Sequence, residues 1–83
     1  MTSEQEVFET IKGHLVGRGI DAETITMEAE LGNDLNLDSL DTMELTVQME
    51  ERFSIEIPDS ELEGLRTVGD AVTLVRNKQA ISA

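Results

Sequence analysis

The first run of apolar residues in the chain has helical spacing. The apolar side chains that recur on one helical face are Val7, Phe8, Ile11 and Leu15. Ser3 and Glu6 stand before them at the spacing of a capping box, in which two side chains satisfy free backbone N–H groups at a helix start. Because glycine favours helix ends, Gly17 and Gly19 predict where this first helix stops.

A second helix is predicted from about Asp38 to Phe53. Asp38 is a good N-cap residue, and Asp41 puts negative charge into the first turn, where the helix dipole favours it. At 100° per residue this segment has two apolar stripes about half a turn apart. One stripe consists of Leu45, Met49 and Phe53, and the other of Leu40, Met43 and Val47.

A helix at the surface of a small protein needs only one apolar face, so the two stripes require different explanations. We assign the stripe of Leu45, Met49 and Phe53 to the core. The other stripe is bordered by acidic residues, and we predict that it forms a partly exposed patch. The alternative, which the pattern leaves open, is that a short third helix covers this patch.

The segment between the first two helices, residues 17–37, is long for a loop in a small domain. We predict a loop pinned to the core, with a short turn after Asp21; an unrecognised helix is the alternative. Its apolar residues are Ile20, Ile25, Met27, Leu31, Leu35 and Leu37. After the second helix, Ile55 and Ile57 alternate with polar residues, but no partner strand exists, so a loop with both turned inward is favoured.

Two further helices complete the predicted fold. A short third helix should run from Asp59 to Leu65 and end near Gly64. Thr67 and Asp70 cap a last helix, whose apolar side is Val68, Ala71, Val72 and Val75, while residues 79–83 should fray. The expected fold is therefore all-α, a small antiparallel four-helix bundle with a long loop after the first helix.

Composition narrows the range of functions. We expect residues 1–83 to form a single domain without disulfides, because the chain has no cysteine. Neither a secretory signal nor a membrane-spanning run of about 18 apolar residues is recognised, so we expect a cytoplasmic monomer. The net charge is −12, and residues 28–63 hold twelve acids against one base. Such a field disfavours nucleic acid and anionic membranes and attracts basic protein surfaces, or simply keeps the protein soluble.

The sequence around Ser39 resembles the signature of acyl carrier proteins. Residues 38–45 read Asp-Ser-Leu-Asp-Thr-Met-Glu-Leu, and Asp34-Leu35 stands before them. Three further segments resemble the family in its order and spacing: Glu-Glu-Arg-Phe at 50–53, Ile-Pro-Asp at 57–59 and Thr-Val-Gly-Asp-Ala-Val at 67–72. A lone Asp-Ser-Leu would be weak evidence, whereas these segments together form a specific match.

The resemblance implies a carrier that catalyses no reaction. A separate phosphopantetheinyl transferase would attach 4′-phosphopantetheine from coenzyme A to Ser39, and the terminal thiol of this arm would hold acyl intermediates as thioesters. At a helix start the dipole attracts the phosphate, whereas Asp38 and Asp41 repel it. We therefore expect the arm to be tethered at Ser39 rather than clamped against the helix.

The same resemblance implies that partner enzymes dock on the second helix. The expected partners are the transferase, a ketosynthase, an acyltransferase and other synthase enzymes with basic surfaces. The acidic residues expected to steer them are Asp38, Asp41, Glu44, Glu50 and Glu51. The residues expected to make short-range contacts are Leu40, Met43 and Val47.

Two parts of the sequence favour different pathways. The Asp-Thr-x-Glu-Leu of residues 41–45 favours fatty-acid synthesis, whereas residues 63–70 look like actinobacterial carriers, among which polyketide pathways are common. Asn36 and Leu37 stand where bacterial fatty-acid members commonly have Gly-Ala, and Arg52 replaces a frequent acid.

Three rival functions belong to other classes. Asp34, Asn36 and Asp38 match the first ligands of a calcium-binding EF-hand loop, but the required glycine and glutamate are replaced by Ser39 and Leu45. Only weak divalent-cation binding is plausible there. His14 is the only histidine and is interpreted as a packed residue rather than a catalytic base. An acidic interaction module that is never modified is the remaining alternative.

Overall fold

Residues 3–82 are described by a computed structural model of the protein, with side chains described as far as Gln79. Helix α1 is Glu4–Gly17, α2 is Ser39–Phe53, α3 is Asp59–Leu62 and α4 is Val68–Ser82. A 3-10 turn at Ala22–Thr24 lies between α1 and α2. The predicted all-α fold with four helices is confirmed, and the described residues contain no strand beyond one isolated bridge.

The caps at the two outer helices are those that the sequence predicts. The Ser3 hydroxyl accepts a hydrogen bond of 3.2 Å from the Glu6 backbone N–H, which is the serine half of the expected capping box. At α4, the Thr67 hydroxyl accepts from the Asp70 N–H and the Asp70 carboxylate accepts from the Thr67 N–H, both at 3.1 Å. These bonds satisfy N–H groups that a helix start otherwise leaves free.

Two helix ends differ from the sequence-based expectation. The predicted end of α3 at Leu65 is wrong, because the helix stops at Leu62 and continues only as a turn past Gly64, a residue that disfavours helix. Helix α4 extends to Ser82, over residues that we expected to fray. Fraying concerns motion and stays a prediction, and Ala83 lies outside the described residues.

The core is built from one face of each long helix. From α1 it takes Val7, Ile11 and Leu15; from α2, Leu45 and Met49; from α4, Val68, Ala71, Val72 and Val75. Phe8 and Phe53, the only aromatic residues, are half-buried and pack against the edge of this core. The periodicities that predicted the helices therefore also identify their buried faces.

The long connection is pinned to the core, as predicted, and the alternative of an unrecognised helix there is wrong. Its buried side chains are Ile25, Ala29, Leu31, Leu35 and Leu37, and the predicted turn follows Asp21, whose carboxylate accepts from the Glu23 N–H at 2.9 Å. The next loop likewise turns Ile55 and Ile57 inward. Apolar side chains spaced along an otherwise polar loop thus pack it against the helices.

A backbone bridge between the long loop and the start of α4 was not predicted. Glu30 and Thr67 pair in antiparallel fashion: the Leu31 N–H donates to the Arg66 carbonyl at 2.8 Å, and the Val68 N–H donates to the Ala29 carbonyl at 3.0 Å. These bonds fix the second half of the loop, which leads directly into α2.

A glycine permits the loop to approach α4 closely. The Gly69 N–H donates to the Met27 carbonyl at 2.8 Å. A Cβ atom at position 69 would lie only 3.0 Å from that carbonyl oxygen, so a side chain there would require the loop to give by a few tenths of an ångström.

Two leucines of α2 provide a matched test of this core. Leu45 is completely buried, whereas Leu40 keeps 71% of its surface exposed. We expect Leu45→Ala to lower the free energy of unfolding by about 3 kcal/mol and Leu40→Ala by less than about 0.5 kcal/mol. Urea denaturation of both variants measures the difference. Equal losses would show that the assignment of the two faces of α2 is wrong.

Candidate functional site

Reciprocal hydrogen bonds between two aspartates fix the start of α2. The Asp38 carboxylate accepts from the Asp41 backbone N–H at 2.9 Å, and the Asp41 carboxylate accepts from the Asp38 N–H at 3.2 Å. The prediction of Asp38 as the N-cap is confirmed. The sequence suggested only a dipole role for Asp41, because glutamate or glutamine is the usual residue at this position of a capping box.

Ser39 is the first residue of α2 and is exposed. The carboxylates of Asp38 and Asp41 make the capping hydrogen bonds, so the fold does not need the Ser39 hydroxyl for this purpose. The first turn of a helix also points its backbone N–H groups toward a phosphate placed there. Ser39 is therefore accessible for modification, in a position where a phosphate ester is tolerated.

The two residues before the cap explain how the chain enters the helix. Asn36 has a φ of 56°, the left-handed conformation that asparagine tolerates better than most residues. Leu37 is buried, so it packs under the loop and adds no apolar surface beside Ser39. The two residues that replace the usual Gly-Ala thus have structural roles in the loop: Asn36 adopts its left-handed turn and Leu37 packs beneath it.

The same backbone contacts change the acidity of Asp38. The hydrogen bond from the Asp41 N–H to the Asp38 carboxylate is the main cause that lowers the pKa of Asp38, and the Asp41 side chain, the Leu40 N–H and the positive charge of Arg18 act in the same direction. Partial removal from water opposes these effects without reversing them. The ionised carboxylate is therefore the form that caps the helix.

The second apolar stripe of α2 is exposed. Leu40, Met43 and Val47 keep 71%, 46% and 43% of their surfaces accessible. The alternative that α3 covers this stripe is wrong, because all three side chains remain exposed. The three side chains line an open groove of about 520 Å³, together with His14, Glu44 and Gln48.

A base that the sequence analysis did not consider lies beside this groove. Arg18, which follows α1 as its C-cap, forms ion pairs with Asp41 and Glu44 of α2. The sequence did contain a sign of this role, because Arg18 is the only lysine or arginine between residues 13 and 51. Two of the acids expected to attract partners therefore have an intramolecular partner.

Glu50, which was expected to attract partner enzymes, makes a contact within the fold. Its carboxylate accepts a hydrogen bond from the Ile57 backbone N–H at 3.0 Å, which ties the end of α2 to the following loop. Glu50 is half-buried, whereas Glu51 is exposed. Of the acids singled out from sequence on this helix, Glu50 thus has a structural contact that the sequence pattern did not reveal.

The positions of Asp34 and His14 do not favour cation binding or catalysis. The Asp34 carboxylate accepts from the Glu30 N–H at 2.7 Å, and residues 3–82 contain no group of three or more acidic, histidine or cysteine side chains that could hold a metal ion. His14 is half-buried, and its Nε2 atom has no hydrogen-bond partner within that range. Within the described part of the chain, no helix is both long and apolar enough to cross a membrane.

The lowered pKa of Asp38 predicts a specific acid dependence. The stability from the ionised cap is complete above the unfolded-state pKa of about 3.9 and is lost as the pH falls toward the lower folded-state pKa. Asp38→Asn keeps a capping oxygen but cannot titrate, so we expect it to lose less stability than the unsubstituted protein between about pH 5 and about pH 3. Urea midpoints at the two pH values measure this, with the exposed Glu51→Gln as the control. An acid dependence equal to that of the unsubstituted protein would contradict the assignment.

Comparisons with known proteins agree with the geometry. The family model for the phosphopantetheine attachment site matches residues 15–75. The acyl carrier protein of Lactobacillus acidophilus is 41% identical over 78 residues, which are 93% of this chain and 98% of that protein.

Solved structures show the same fold. The acyl carrier protein of Thermotoga maritima matches with a TM-score of 0.86 and 25% identity, over 96% of this chain and 94% of that one. The acyl carrier protein of Enterococcus faecalis, described for its high thermal stability, matches with a TM-score of 0.78 and 29% identity, over 93% and 99% of the two chains. The chain therefore belongs to the acyl carrier protein family, whose members bind 4′-phosphopantetheine covalently and are carriers rather than enzymes.

Proposed function

We propose that residues 1–83 form a single carrier domain and that Ser39 is the residue to which 4′-phosphopantetheine is attached. One observation supports this assignment above the others: Ser39 is exposed in the first turn of α2, while Asp38 caps the helix in its place. A bulky group on Ser39 would therefore leave the hydrogen bonds of the cap intact. The residues around Ser39 fit the group that the family binds.

The local charges support a tethered arm. The N–H groups at the start of α2 attract the phosphate of the arm, whereas the adjacent carboxylates of Asp38 and Asp41 repel it. No lysine or arginine lies among residues 34–45 to hold it in place, and the neighbouring Arg18 is already paired with Asp41 and Glu44. When attached, the group supplies a terminal thiol that holds acyl chains as thioesters, and the chain itself has no cysteine to compete with it.

The exposed face of α2 is the proposed docking surface for the transferase and for synthase enzymes. Leu40, Met43 and Val47 offer apolar contacts on the helix that begins with Ser39. The acids of the cap and of the helix are Asp38, Asp41, Glu44 and Glu51, and Glu44 lines the same groove as the apolar stripe. Glu50 was included in this surface from sequence, but the hydrogen bond that its carboxylate accepts from the Ile57 N–H reduces its freedom to contribute. Recognition through such a surface is fast, weak and sensitive to salt.

The proposed pathway is fatty-acid synthesis, in which the cargo is a growing acyl chain presented to enzymes such as the ketosynthase and the acyltransferase. The Asp-Thr-x-Glu-Leu of residues 41–45 supports it. Residues 63–70, which resemble actinobacterial carriers, support a type II polyketide synthase as the second candidate. In either case we propose a cytoplasmic monomer that interacts with proteins rather than with nucleic acid or membranes.

Mass spectrometry tests the attachment residue. We incubate the protein with coenzyme A, Mg²⁺ and a promiscuous phosphopantetheinyl transferase, and we expect the intact mass to rise by one phosphopantetheine group. Ser39→Ala should abolish this gain while changing the free energy of unfolding by less than about 0.5 kcal/mol.

Ser60→Ala is the matched control, because Ser60 also follows an aspartate at the start of a helix and is exposed. This variant should be modified like the unsubstituted protein. A gain that survives in Ser39→Ala would contradict the assignment of the residue. The absence of any gain in a protein that carries no arm would favour the unmodified acidic interaction module.

A further inference from the structure

The two ion pairs of Arg18 show how the proposed docking face receives a guanidinium group. Nη2 of Arg18 contacts the Asp41 carboxylate and Nη1 contacts the Glu44 carboxylate, so one guanidinium bridges two acids that are three residues apart on α2. The planar, forked donors of arginine suit this geometry, whereas the single ammonium of lysine does not bridge in the same way. The acid pair therefore forms a position shaped for an arginine.

This position belongs to the same surface as the apolar stripe. Glu44 lines the groove together with Leu40, Met43 and Val47, and Arg18 reaches Glu44 from the end of α1. A basic partner seated on that groove would bring its own positive side chains toward Asp41 and Glu44. Both the partner and Arg18 would then compete for the same carboxylate oxygens.

We infer that Arg18 is an internal occupant of an arginine-binding position on the docking face, which an arginine of the partner enzyme takes over when the partner binds. The inference rests on the proposed function, because it concerns the surface at which the transferase and synthase enzymes dock. It assigns Arg18 a role in setting affinity: the residue weakens the docking of basic partners by holding two of the acids that they require.

The partial exposure of the three side chains makes the exchange feasible. Arg18 and Asp41 keep 35% and 23% of their side-chain surfaces exposed, and Glu44 keeps 61%. Ion pairs at this level of exposure are weak, because water and salt screen them. An incoming arginine can thus displace Arg18 without a large barrier, and it replaces the lost contacts with equivalent ones.

Binding of the transferase tests the inference. Ser39→Ala serves as the background in every variant, so that no modification occurs, and calorimetry measures the dissociation constant in the presence of coenzyme A. Arg18→Gln removes the charge but keeps a long polar side chain. Arg52→Gln is the matched control, because it makes the same charge change at an exposed residue near the opposite end of α2.

We expect Arg18→Gln to lower the dissociation constant by roughly two- to fivefold more than Arg52→Gln does. Glu44→Gln should weaken binding more when Arg18 has been replaced by Gln than when Arg18 is present. Without Arg18, the Glu44 carboxylate is unoccupied and available to the partner from the start. Thermal melts confirm that each variant is folded before binding is compared.

Two other results would overturn the inference, and they are distinguishable. If Arg18→Gln changes the dissociation constant no more than Arg52→Gln, or weakens binding, Arg18 does not compete with the partner. If Leu40→Ala leaves binding unchanged, the transferase does not dock on this face, and the proposed docking surface fails together with the inference that rests on it.

Discussion

The hydrogen-bonded pair of Asp38 and Asp41 determines much of what the rest of the structure does, because it fixes the residue at which α2 begins. Successive side chains of a helix lie about 100° apart, so residues close to one another in sequence can face opposite sides. In α2, which begins at Ser39, Leu45 and Met49 face the core and Leu40 lies exposed at the surface. The cap does not use the Ser39 hydroxyl, so the residue that we propose as the attachment site makes none of the hydrogen bonds that start the helix.

Contacts with neighbouring segments hold α2 at both ends. Near its start, Arg18 connects the end of α1 to Asp41 and Glu44. Near its end, Glu50 accepts a hydrogen bond from the Ile57 backbone in the next loop. In a chain with a net charge of −12, each of these contacts places a positive or N–H group beside an acid and so reduces repulsion between like charges. The acids of α2 therefore contribute to the stability of the fold.

Most of the fold could be predicted from sequence because its determinants are local. Helical spacing of apolar residues indicated the buried faces, and the caps at Ser3, Asp38 and Thr67 could be identified from neighbours three residues away. The predicted length of α3 was too long by three residues, since the low helix propensity of Gly64 decides where so short a helix ends.

What the sequence did not reveal depends on contacts between distant residues. The bridge between Glu30 and Thr67 joins segments 37 residues apart, and no periodicity in either segment indicates it. The pairing of Arg18 with the acids of α2 likewise follows from where the end of α1 lies relative to the next helix. At the site itself, the accessibility of Ser39 could be predicted from its place after a capping residue, whereas the engagement of Asp41, Glu44 and Glu50 by other groups could not.

The central claim is that the proposed attachment residue, Ser39, is independent of the packing of the core. The most direct test compares backbone amide spectra of the protein before and after attachment of phosphopantetheine. We expect chemical-shift changes near Ser39, in the preceding loop and in the first turn of α2, with the core amides of Val7 and Val72 unchanged. Changes that spread through α1 and α4 would contradict the claim, because they would show that modification at the start of α2 alters the packing of the fold.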